Sequence, residues 1–264
     1  MKESDTLIGL VPTMGALHAG HEALIEAARQ ESGVVVVSIF VNPLQFGPSE
    51  DYTRYPRPLP QDLEICERHG VDLVFVPPVE EMYPLPQLTF TEVSRVGEHL
   101  CGAFRPGHFR GVATVVLKLF NIVQPDRAYF GEKDMQQLAV IRRMVTDLNL
   151  AIEIVGVPTV READGLAISS RNQYLKPAER KAAPVLYRAL QEAAREIRSG
   201  EREVRKIREA GIAALGKEPL VGLEYFEIVD PGEMQSVSTI SGPVRIAAAI
   251  WIGSTRLIDN VAGN

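Results

Sequence analysis

Short apolar runs alternate with helical patterns through the first 157 residues, and this alternation restricts the fold more than any other feature of the chain. The run Val34 to Val41 is apolar except for Ser38, which is typical of a parallel strand buried on both faces. It follows a shorter apolar run, Leu7 to Val11, and a segment over residues 21–31 whose Leu24 and Ile25 share one helical face. Strands that alternate with helices predict right-handed βαβ units and a parallel sheet covered by helices on both sides.

Further elements follow by the same criteria. They are a helix over residues 60–69, a strand over 72–76, a helix over 111–123, a strand over 127–130, a helix over 134–147 and a strand over 151–157. The pattern then changes to one long helix over 178–199, a second helix after the charged segment 200–203, and two strands over 223–229 and 244–253. Helices followed by strands indicate a separate α+β unit.

We therefore predict a chain of the α/β class with two domains. Residues 1–159 are expected to form a Rossmann-like domain with a doubly wound parallel sheet, and residues 160–264 a smaller α+β domain that closes over a nucleotide site. A boundary near residue 160 gives each part enough residues for a core of its own.

Charge and cysteine content exclude several classes of protein. The net charge of -6 and the pI near 5.5 argue against a nucleic-acid binder, which usually carries a basic face. Cys66 and Cys101 form no C-x-x-C pair, so neither a zinc ribbon nor a disulfide framework is expected, and a reducing cytoplasm fits best. The acidic start, Met1 to Asp5, is not expected to be a signal peptide, and no apolar run is long enough to cross a membrane.

The segment from Val11 to His21 joins the first strand to the first helix. In a doubly wound sheet ligands bind there, outside the carboxyl ends of the strands. Gly15 and Gly20 allow the backbone to turn and approach a ligand, and His21 would lie beside the free N–H groups of a helix N-terminus. With His18, it could donate hydrogen bonds to a phosphate as charge develops there.

The alternative for these two histidines is a surface loop or half of a metal site. A bare H-x-x-H pattern favours that alternative, because short motifs often match by chance. Its position after a strand, with a glycine on both sides of His18, favours the polyphosphate site instead.

Two further motifs carry groups that suit phosphate. Gly131-Glu132-Lys133-Asp134 follows a strand and opens a helix, so that Lys133 could reach a phosphate while Asp134 caps the helix. Ser169-Ser170-Arg171 presents two hydroxyls and a guanidinium in succession, which suits the β and γ phosphates of a nucleotide. The alternatives are a surface turn with an ordinary Lys–Asp pair and a solvated loop.

The segment Pro12 to His21 resembles the signature of the pantothenate synthetases, or pantoate–β-alanine ligases. That family belongs to the nucleotidyltransferases with an H-x-G-H motif and is related to class I aminoacyl-tRNA synthetases. Similar motifs follow in the family's order, at residues 41–46, 55–57, 81–84, 107–112, 130–134 and 164–172. Family members usually begin with an additional strand and helix that this sequence lacks, so one edge of the sheet is expected to differ.

The resemblance implies an ATP-dependent condensation of pantoate with β-alanine through a pantoyl adenylate, releasing pyrophosphate and AMP, in the biosynthesis of coenzyme A. It implies His21, His18 and Lys133 as catalytic residues and Gln45 as a contact for pantoate and β-alanine. Gln137 is implied for pantoate, although Gln136 is adjacent and only one of the two can face the site. The residues implied for ATP are Met14, Gly15, Ala16, Leu17, His18, Ala19, Gly20, His21, Gly131, Glu132, Lys133, Asp134, Val160, Ile168, Ser169, Ser170 and Arg171.

Further candidate residues, a metal ion, a dimer and closing loops complete these expectations. Asn42, His108 and Arg110 are additional candidates for the site, although Arg110 could be an exposed ion-pair partner. Mg²⁺ is expected to be bound mainly through the ATP phosphates, with no protein metal site. Asp62 is either an outer ligand of that Mg²⁺ or a solvated helix carboxylate. The resemblance also implies a homodimer, and loops over residues 43–58 and around Ser169 that close over the adenylate.

Two other classes of function share part of this pattern. A plain nucleotidyltransferase would keep the two histidines but would need no second, amine-accepting pocket. A non-catalytic nucleotide-binding module would have no use for His18, His21 and Lys133 together.

Overall fold

The computed structural model describes residues 6–48 and 50–263. The expectation about Met1 to Asp5 therefore lies outside the described residues. Within the described part of the chain, none of the helices combines the length and the apolar character needed to cross a membrane.

Five parallel strands form the central sheet, in the order β3-β2-β1-β4-β5. The strands are β1 Ile8–Thr13, β2 Val34–Ile39, β3 Leu73–Phe75, β4 Arg127–Gly131 and β5 Glu153–Val157. The strand order reverses between β1 and β4, which places the switch point of the sheet at the carboxyl end of β1. The first strand was expected to end before Pro12, but β1 continues through Pro12 to Thr13. Proline is tolerated there because β4 pairs only with Gly9 and Leu10 of β1, so that pairing requires no N–H from Pro12.

Helices cover both faces of this sheet. They are α1 Ala19–Glu31, α2 Leu59–Arg68, α3 Val79–Met82, α4 Cys101–Phe104, α5 His108–Val123 and α6 Met135–Asp147. Successive residues of one strand point to opposite faces, so Leu10 packs in the apolar cluster beneath α5 and α6, whereas Val11 packs in the cluster beneath α1 and α2. The predicted doubly wound α/β fold is confirmed; the short helices α3 and α4 had no periodic signal.

The second part of the chain contains three helices and an antiparallel sheet of order β6-β7-β8. The elements are α7 Pro177–Ala182, α8 Val185–Arg198, α9 Val204–Leu215, β6 Val221–Val229, β7 Arg245–Ile252 and β8 Thr255–Ala262. Their apolar side chains form a third cluster between α8, α9 and the sheet.

The predicted single helix over residues 178–199 is wrong. Two helices occupy this stretch, and the break falls at Ala183 and Pro184. Proline has no N–H for the carbonyl four residues earlier, so the hydrogen-bond ladder is interrupted although the apolar periodicity continues across it.

The prediction also missed strand β8. Gly253 and Ser254 form a two-residue turn in which Gly253 has φ +58°, and Ile252 pairs directly with Thr255. A glycine followed by serine between two strands is a hairpin signal. Polar residues at Arg256, Asp259 and Asn260 obscured the strand pattern that follows it.

Candidate active site

A cleft of about 900 Å³ lies between the two parts of the chain. One wall is formed by residues from α4, α5 and the start of α6, and the other by the antiparallel sheet and the loop over residues 166–174. Lys133, Gln137, Ser169 and Arg171, all predicted from the sequence, line it.

The turn after β1 is held in an unusual backbone conformation. Gly15 has φ +77° and Ala16 has φ +51°, both in the left-handed region. A Cβ on Gly15 would lie 2.9 Å from the Asp62 carboxylate, so glycine is required there by the close approach as well as by φ. The hydroxyl of Thr13 accepts a hydrogen bond from the N–H of Gly15 at 3.1 Å and donates one to the carbonyl of Ser38 at 2.8 Å.

Asp62 holds this turn from α2. Its carboxylate accepts hydrogen bonds from the N–H of Ala16 at 2.9 Å and of Leu17 at 2.7 Å. The side chain is buried, so the expectation of a solvated helix carboxylate is wrong. Burial raises the pKa of Asp62, and the two backbone N–H groups act in the opposite direction. No pattern in the sequence connects residue 62 with this turn.

His18 is the N-cap of α1, and its Nδ1 accepts a hydrogen bond from the N–H of Gly20 at 3.1 Å. Nδ1 must be unprotonated to accept, so the hydrogen-bond network assigns the ring proton to Nε2. A Cβ at Gly20 would lie 2.9 Å from His18 Cε1. The glycine of the motif therefore leaves room for the imidazole over the first turn of the helix.

His21 stacks against His18, with the ring centroids 4.1 Å apart. Burial, followed by the charge of Lys133, lowers the pKa of His18 to about 4. Burial, followed by His18 and Lys133, lowers the pKa of His21 to about 3. Both imidazoles are thus neutral at pH 7, and His21 Nδ1 is buried with no hydrogen-bond partner among the described residues.

Lys133 lies in a 3₁₀ turn, Glu132–Asp134, directly after β4. Because β1 and β4 are adjacent parallel strands, the turns that follow them lie at the same edge of the sheet, and the charge of Lys133 contributes to the lowered pKa of both His18 and His21. Lys133 lines the cleft, whereas neither histidine does. Asp134 was expected to cap α6, but its side chain makes no capping hydrogen bond and lies 3.8 Å from the Lys133 ammonium instead.

Gln45 lies buried beside the same turn. Its Nε2 lies 3.2 Å from Met14 Sδ, and its Oε1 accepts a hydrogen bond from Asn42 Nδ2 at 3.0 Å. Asn42 in turn accepts from the Tyr83 hydroxyl at 2.8 Å. Asn42 is therefore a support for the glutamine rather than a group facing the cleft.

The ambiguity between Gln136 and Gln137 is decided by their hydrogen bonds. The buried amide of Gln136 accepts from the N–H of Cys101 at 3.1 Å and donates to the carbonyls of Val96 at 2.9 Å and His99 at 2.6 Å. Both glutamines line the cleft, but, unlike that of Gln136, the amide of Gln137 has no hydrogen-bond partner among the residues that the structure describes. It is the glutamine available to a substrate.

His108 supports Gln45 from α5. Its Nδ1 donates to the carbonyl of Gln45 at 2.8 Å, and its Nε2 accepts from Arg105 at 3.1 Å. Burial, followed by the charge of Arg105, lowers the pKa of His108 to about 3. Arg110 is exposed outside the cleft lining, with its guanidinium 4.7 Å from the centroid of the Phe90 ring.

Side-chain contacts join the loop with Ser169, Ser170 and Arg171 to the loop after β2. Arg171 forms a two-pronged ion pair with Asp51, with both N–O distances 2.9 Å. The hydroxyl of Ser170 lies 3.2 Å from that of Tyr55. Asp51 and Tyr55 lie in the loop over residues 43–58 that was expected to close over the site, but nothing in the sequence indicates that these two side chains contact Arg171 and Ser170.

Val160 and Ile168 are brought together by the backbone. The N–H of Ile168 donates to the carbonyl of Val160 at 3.0 Å, and the neighbouring residues Arg161 and Ala167 form an isolated β-bridge. Neither Val160 nor Ile168 belongs to the cleft lining. Their contact with ATP stays a prediction.

Comparison with known proteins shows the family to which this chain belongs. Residues 1–262 match the family model described as pantoate-beta-alanine ligase. The chain belongs to the pantoate–β-alanine ligase family. It is 57% identical to the pantothenate synthetase of Moorella thermoacetica over 254 residues, which cover 96% of this chain and 90% of that protein.

Solved structures of this family share the fold. The pantothenate synthetase of Thermus thermophilus superposes with a TM-score of 0.94 at 53% identity, over 97% of this chain and 92% of that one. The ligase from Francisella tularensis, complexed with beta-gamma ATP and beta-alanine, gives a TM-score of 0.79 at 37% identity, over 98% and 90%. The resemblance stated from the motifs is confirmed, and the chain is a ligase.

The carboxylates that the structure describes in the cleft are paired with basic side chains rather than grouped around a metal site. Among residues 6–48 and 50–263, no three His, Cys, Asp or Glu side chains cluster so as to hold a metal ion. Asp51 and Glu50 are paired with Arg171 and Arg105, and Asp259 is paired with Arg161. Among the cleft carboxylates, Asp134 has the longest ion pair, with its carboxylate 3.8 Å from the Lys133 ammonium.

Proposed function

We propose that ATP lies across the N-terminus of α1, with its α-phosphate between the two histidines and Lys133. The observation that carries this proposal is that His18 and His21 follow β1, and Lys133 follows β4, at the same edge of two adjacent parallel strands. Neutral imidazoles and one ammonium are donors that suit a phosphate whose charge grows during displacement.

Pantoate binds beside this phosphate, between Gln45 and Gln137. The amide of Gln137 faces the cleft, and Gln45 is held beside Met14 by Asn42. An amide both donates and accepts, so it can recognise the two hydroxyls of pantoate without adding charge. Gln45 also lies near the position that β-alanine takes in the second step.

In the first step, the carboxylate of pantoate attacks the α-phosphorus. It is already ionised at neutral pH, so no base is required. The new P–O bond forms as the bond to pyrophosphate breaks, and the Nε2–H of His18 and the ammonium of Lys133 stabilise the charge that develops. The triphosphate is expected to raise the pKa of His21 above its ligand-free value of about 3, which allows it to act as the acid near the reacting phosphate.

The departing pyrophosphate is held by Ser169, Ser170 and Arg171. Arg171 is paired with Asp51 by two hydrogen bonds, so it would exchange one anionic partner for another to hold the phosphates of ATP. The same exchange releases the loop to close over the adenylate and exclude water. In the second step the amine of β-alanine, having lost a proton, attacks the acyl carbon and AMP leaves.

Mg²⁺ fits this site as a ligand of the ATP phosphates. Asp134 would be the carboxylate available to the hydrated ion, since Asp62 is committed to two backbone N–H groups. When bound, the ion neutralises charge on the phosphates. All other steps rest on the residues named above.

Three broader features belong to the same proposal. Residues 1–159 bind nucleotide and pantoate, and residues 160–264 form the domain that closes over them. The cluster between α8, α9 and the antiparallel sheet, drawn only from the second part, supports this division, and Val229, Met234 and Ala247 join the second part to the core of the parallel sheet. The chain acts as a homodimer, in the cytoplasm. Two buried cysteines without a disulfide support a reducing compartment.

Isotope exchange between pyrophosphate and ATP tests the proposal, because it reports the first step alone. Exchange is expected only with pantoate present, and addition of β-alanine should then release AMP. Lys133→Ala should reduce the exchange rate by at least about 100-fold, as for loss of a group that stabilises the transition state. Lys206→Ala, an exposed lysine of α9, is the matched control and should leave it unchanged.

Two results would favour the other classes of function. Exchange that depends on a nucleotide-like phosphate instead of pantoate would indicate a plain nucleotidyltransferase. ATP binding without any exchange would indicate a nucleotide-binding module.

A further inference from the structure

The side chain of Asn260, in the last strand β8, reaches the turn that carries Lys133. Its Nδ2 donates to the carbonyl of Glu132 at 2.8 Å and to the carbonyl of Lys133 at 3.0 Å. Asn260 and Lys133 are separated by 127 positions in the chain. Asn260 is itself only 4% exposed, so these bonds form away from competing water.

A second contact fixes the orientation of this amide. One guanidinium nitrogen of Arg245 donates to Asn260 Oδ1 at 3.3 Å, and the other binds the Glu132 carboxylate at 3.1 Å. Since arginine only donates, it assigns the oxygen of the Asn260 amide to its own side and the NH₂ group to the turn. Both donor positions of that NH₂ are then used by the two carbonyls.

The residue next to Asn260 is anchored as well. Asp259 forms a two-pronged ion pair with Arg161, at 2.6 and 2.9 Å. Arg161 belongs to the segment that leads into the loop of Ser169 to Arg171, and its guanidinium lies over the Tyr187 ring at 3.9 Å. Adjacent residues of β8 thus contact both the turn of Lys133 and the start of that loop.

We propose that Asn260 is a positioning residue for Lys133: by binding two consecutive carbonyls, it sets the direction in which the lysine leaves the backbone. The inference rests on the proposed role of Lys133 at the α-phosphate. A side chain's direction follows from the backbone that bears it, and a displacement of about 1 Å can cost on the order of 100-fold in rate. The antiparallel sheet therefore contributes to phosphate activation through a residue of the cleft wall whose amide is committed to Glu132, Lys133 and Arg245.

A double-mutant cycle tests this proposal. Asn260→Ala, Lys133→Ala and the double variant are assayed by pantoate-dependent pyrophosphate exchange, with kcat/KM for ATP as the readout. Asn260→Ala alone should lose about 10- to 100-fold. In the Lys133→Ala background the same substitution should change kcat/KM by less than about twofold, because the group through which it acts is already absent.

The cycle separates failure of this inference from failure of the proposed function. If the losses of Asn260→Ala and Lys133→Ala multiply, Asn260 acts independently of the lysine and the inference is overturned while the role of Lys133 stands. If Lys133→Ala alone leaves exchange unchanged, the proposed function is overturned and the inference with it.

Two further variants guard against a simple loss of folding. Asn260→Asp keeps the volume of the side chain but cannot donate to the carbonyls, so it should match or exceed the loss of Asn260→Ala. Arg245→Gln removes the guanidinium that donates to Asn260 Oδ1. It should lower kcat/KM less than Asn260→Ala does, and this loss should also disappear in the Lys133→Ala background. An Asn260→Asp enzyme with wild-type kcat/KM, or an Arg245→Gln loss that persists without the lysine, would overturn the inference. Asn121→Ala, an exposed asparagine that also donates to a backbone carbonyl, is the matched control.

Discussion

His18 and Gly20 are joined by a hydrogen bond of 3.1 Å from the N–H of Gly20 to the imidazole Nδ1. The bond determines the tautomer of the ring, and the absent side chain of the glycine leaves the space in which the ring lies. This hydrogen bond therefore orients the Nε2–H of His18 away from the helix, toward the site proposed for the phosphate.

Substitution of Gly20 by alanine should separate activity from stability. The added Cβ would lie 2.9 Å from His18 Cε1, so the ring must move, and pyrophosphate exchange should fall about 10- to 100-fold. Unfolding free energy should change by less than about 1 kcal/mol, because the preference of alanine over glycine for a helix is offset by the weakened N-cap bond of His18. Gly216→Ala, where a Cβ would make only ordinary contacts, is the control; an active Gly20→Ala enzyme would contradict the role given to the ring.

Asp62→Asn should damage the turn after β1. The amide can accept only one of the two backbone N–H groups that the carboxylate binds, so one of them stays unpaired in a buried place. We expect a loss of about 1–3 kcal/mol in unfolding free energy, together with at least about tenfold slower exchange. Glu64→Gln, an exposed change on the same helix, should alter neither. Loss of stability without loss of exchange would show that the turn tolerates the change.

The adjacent glutamines should respond in opposite ways. Gln137→Ala should raise KM for pantoate about tenfold, the equivalent of one hydrogen bond, and leave thermal unfolding unchanged. Gln136→Ala removes the partner of three backbone groups and should cost about 1–3 kcal/mol of unfolding free energy. Steady-state kinetics and denaturation of both variants check this; an exchange of their two phenotypes would reverse the assignment.

Stability should decrease as the pH falls below about 6.5. The pKa values of His18 and His21 lie at about 4 and about 3 in the folded chain, below the value of 6.5 for a free imidazole. The unfolded chain therefore binds protons first, and the stability present above pH 6.5 is lost as the pH falls toward 4, by about 1.4 kcal/mol per pH unit for each histidine.

Urea denaturation at intervals from pH 7 to pH 4 measures this effect. His21→Gln removes one of the titrating groups, so its stability should fall less steeply over the same interval than that of the unsubstituted chain. Only the slopes are compared, because the substitution also changes stability at pH 7. Parallel curves would mean that His21 is protonated as easily in the folded chain as in the unfolded one.

Periodicity and turn signals predicted the sheet because these patterns are local. The apolar run from Val34 to Val41 and the helix ending near Gly33 required no knowledge of distant residues, and both are present. The errors had local causes too. Pro184 divides a continuous apolar stripe, and the turn at Gly253 and Ser254 was not weighed against the polar residues of β8.

The order of residues along the chain determined where the two histidines lie: a glycine-flanked pair that follows β1 of this doubly wound sheet is at its switch point. Which groups hold that chemistry in place was decided by the tertiary structure. Asp62 supports the histidine turn and Asn260 the turn of Lys133, from 45 and 127 residues away. Periodicity records which face a residue buries, whereas these hydrogen bonds depend on how separate elements pack, and that geometry exists only once the chain is folded.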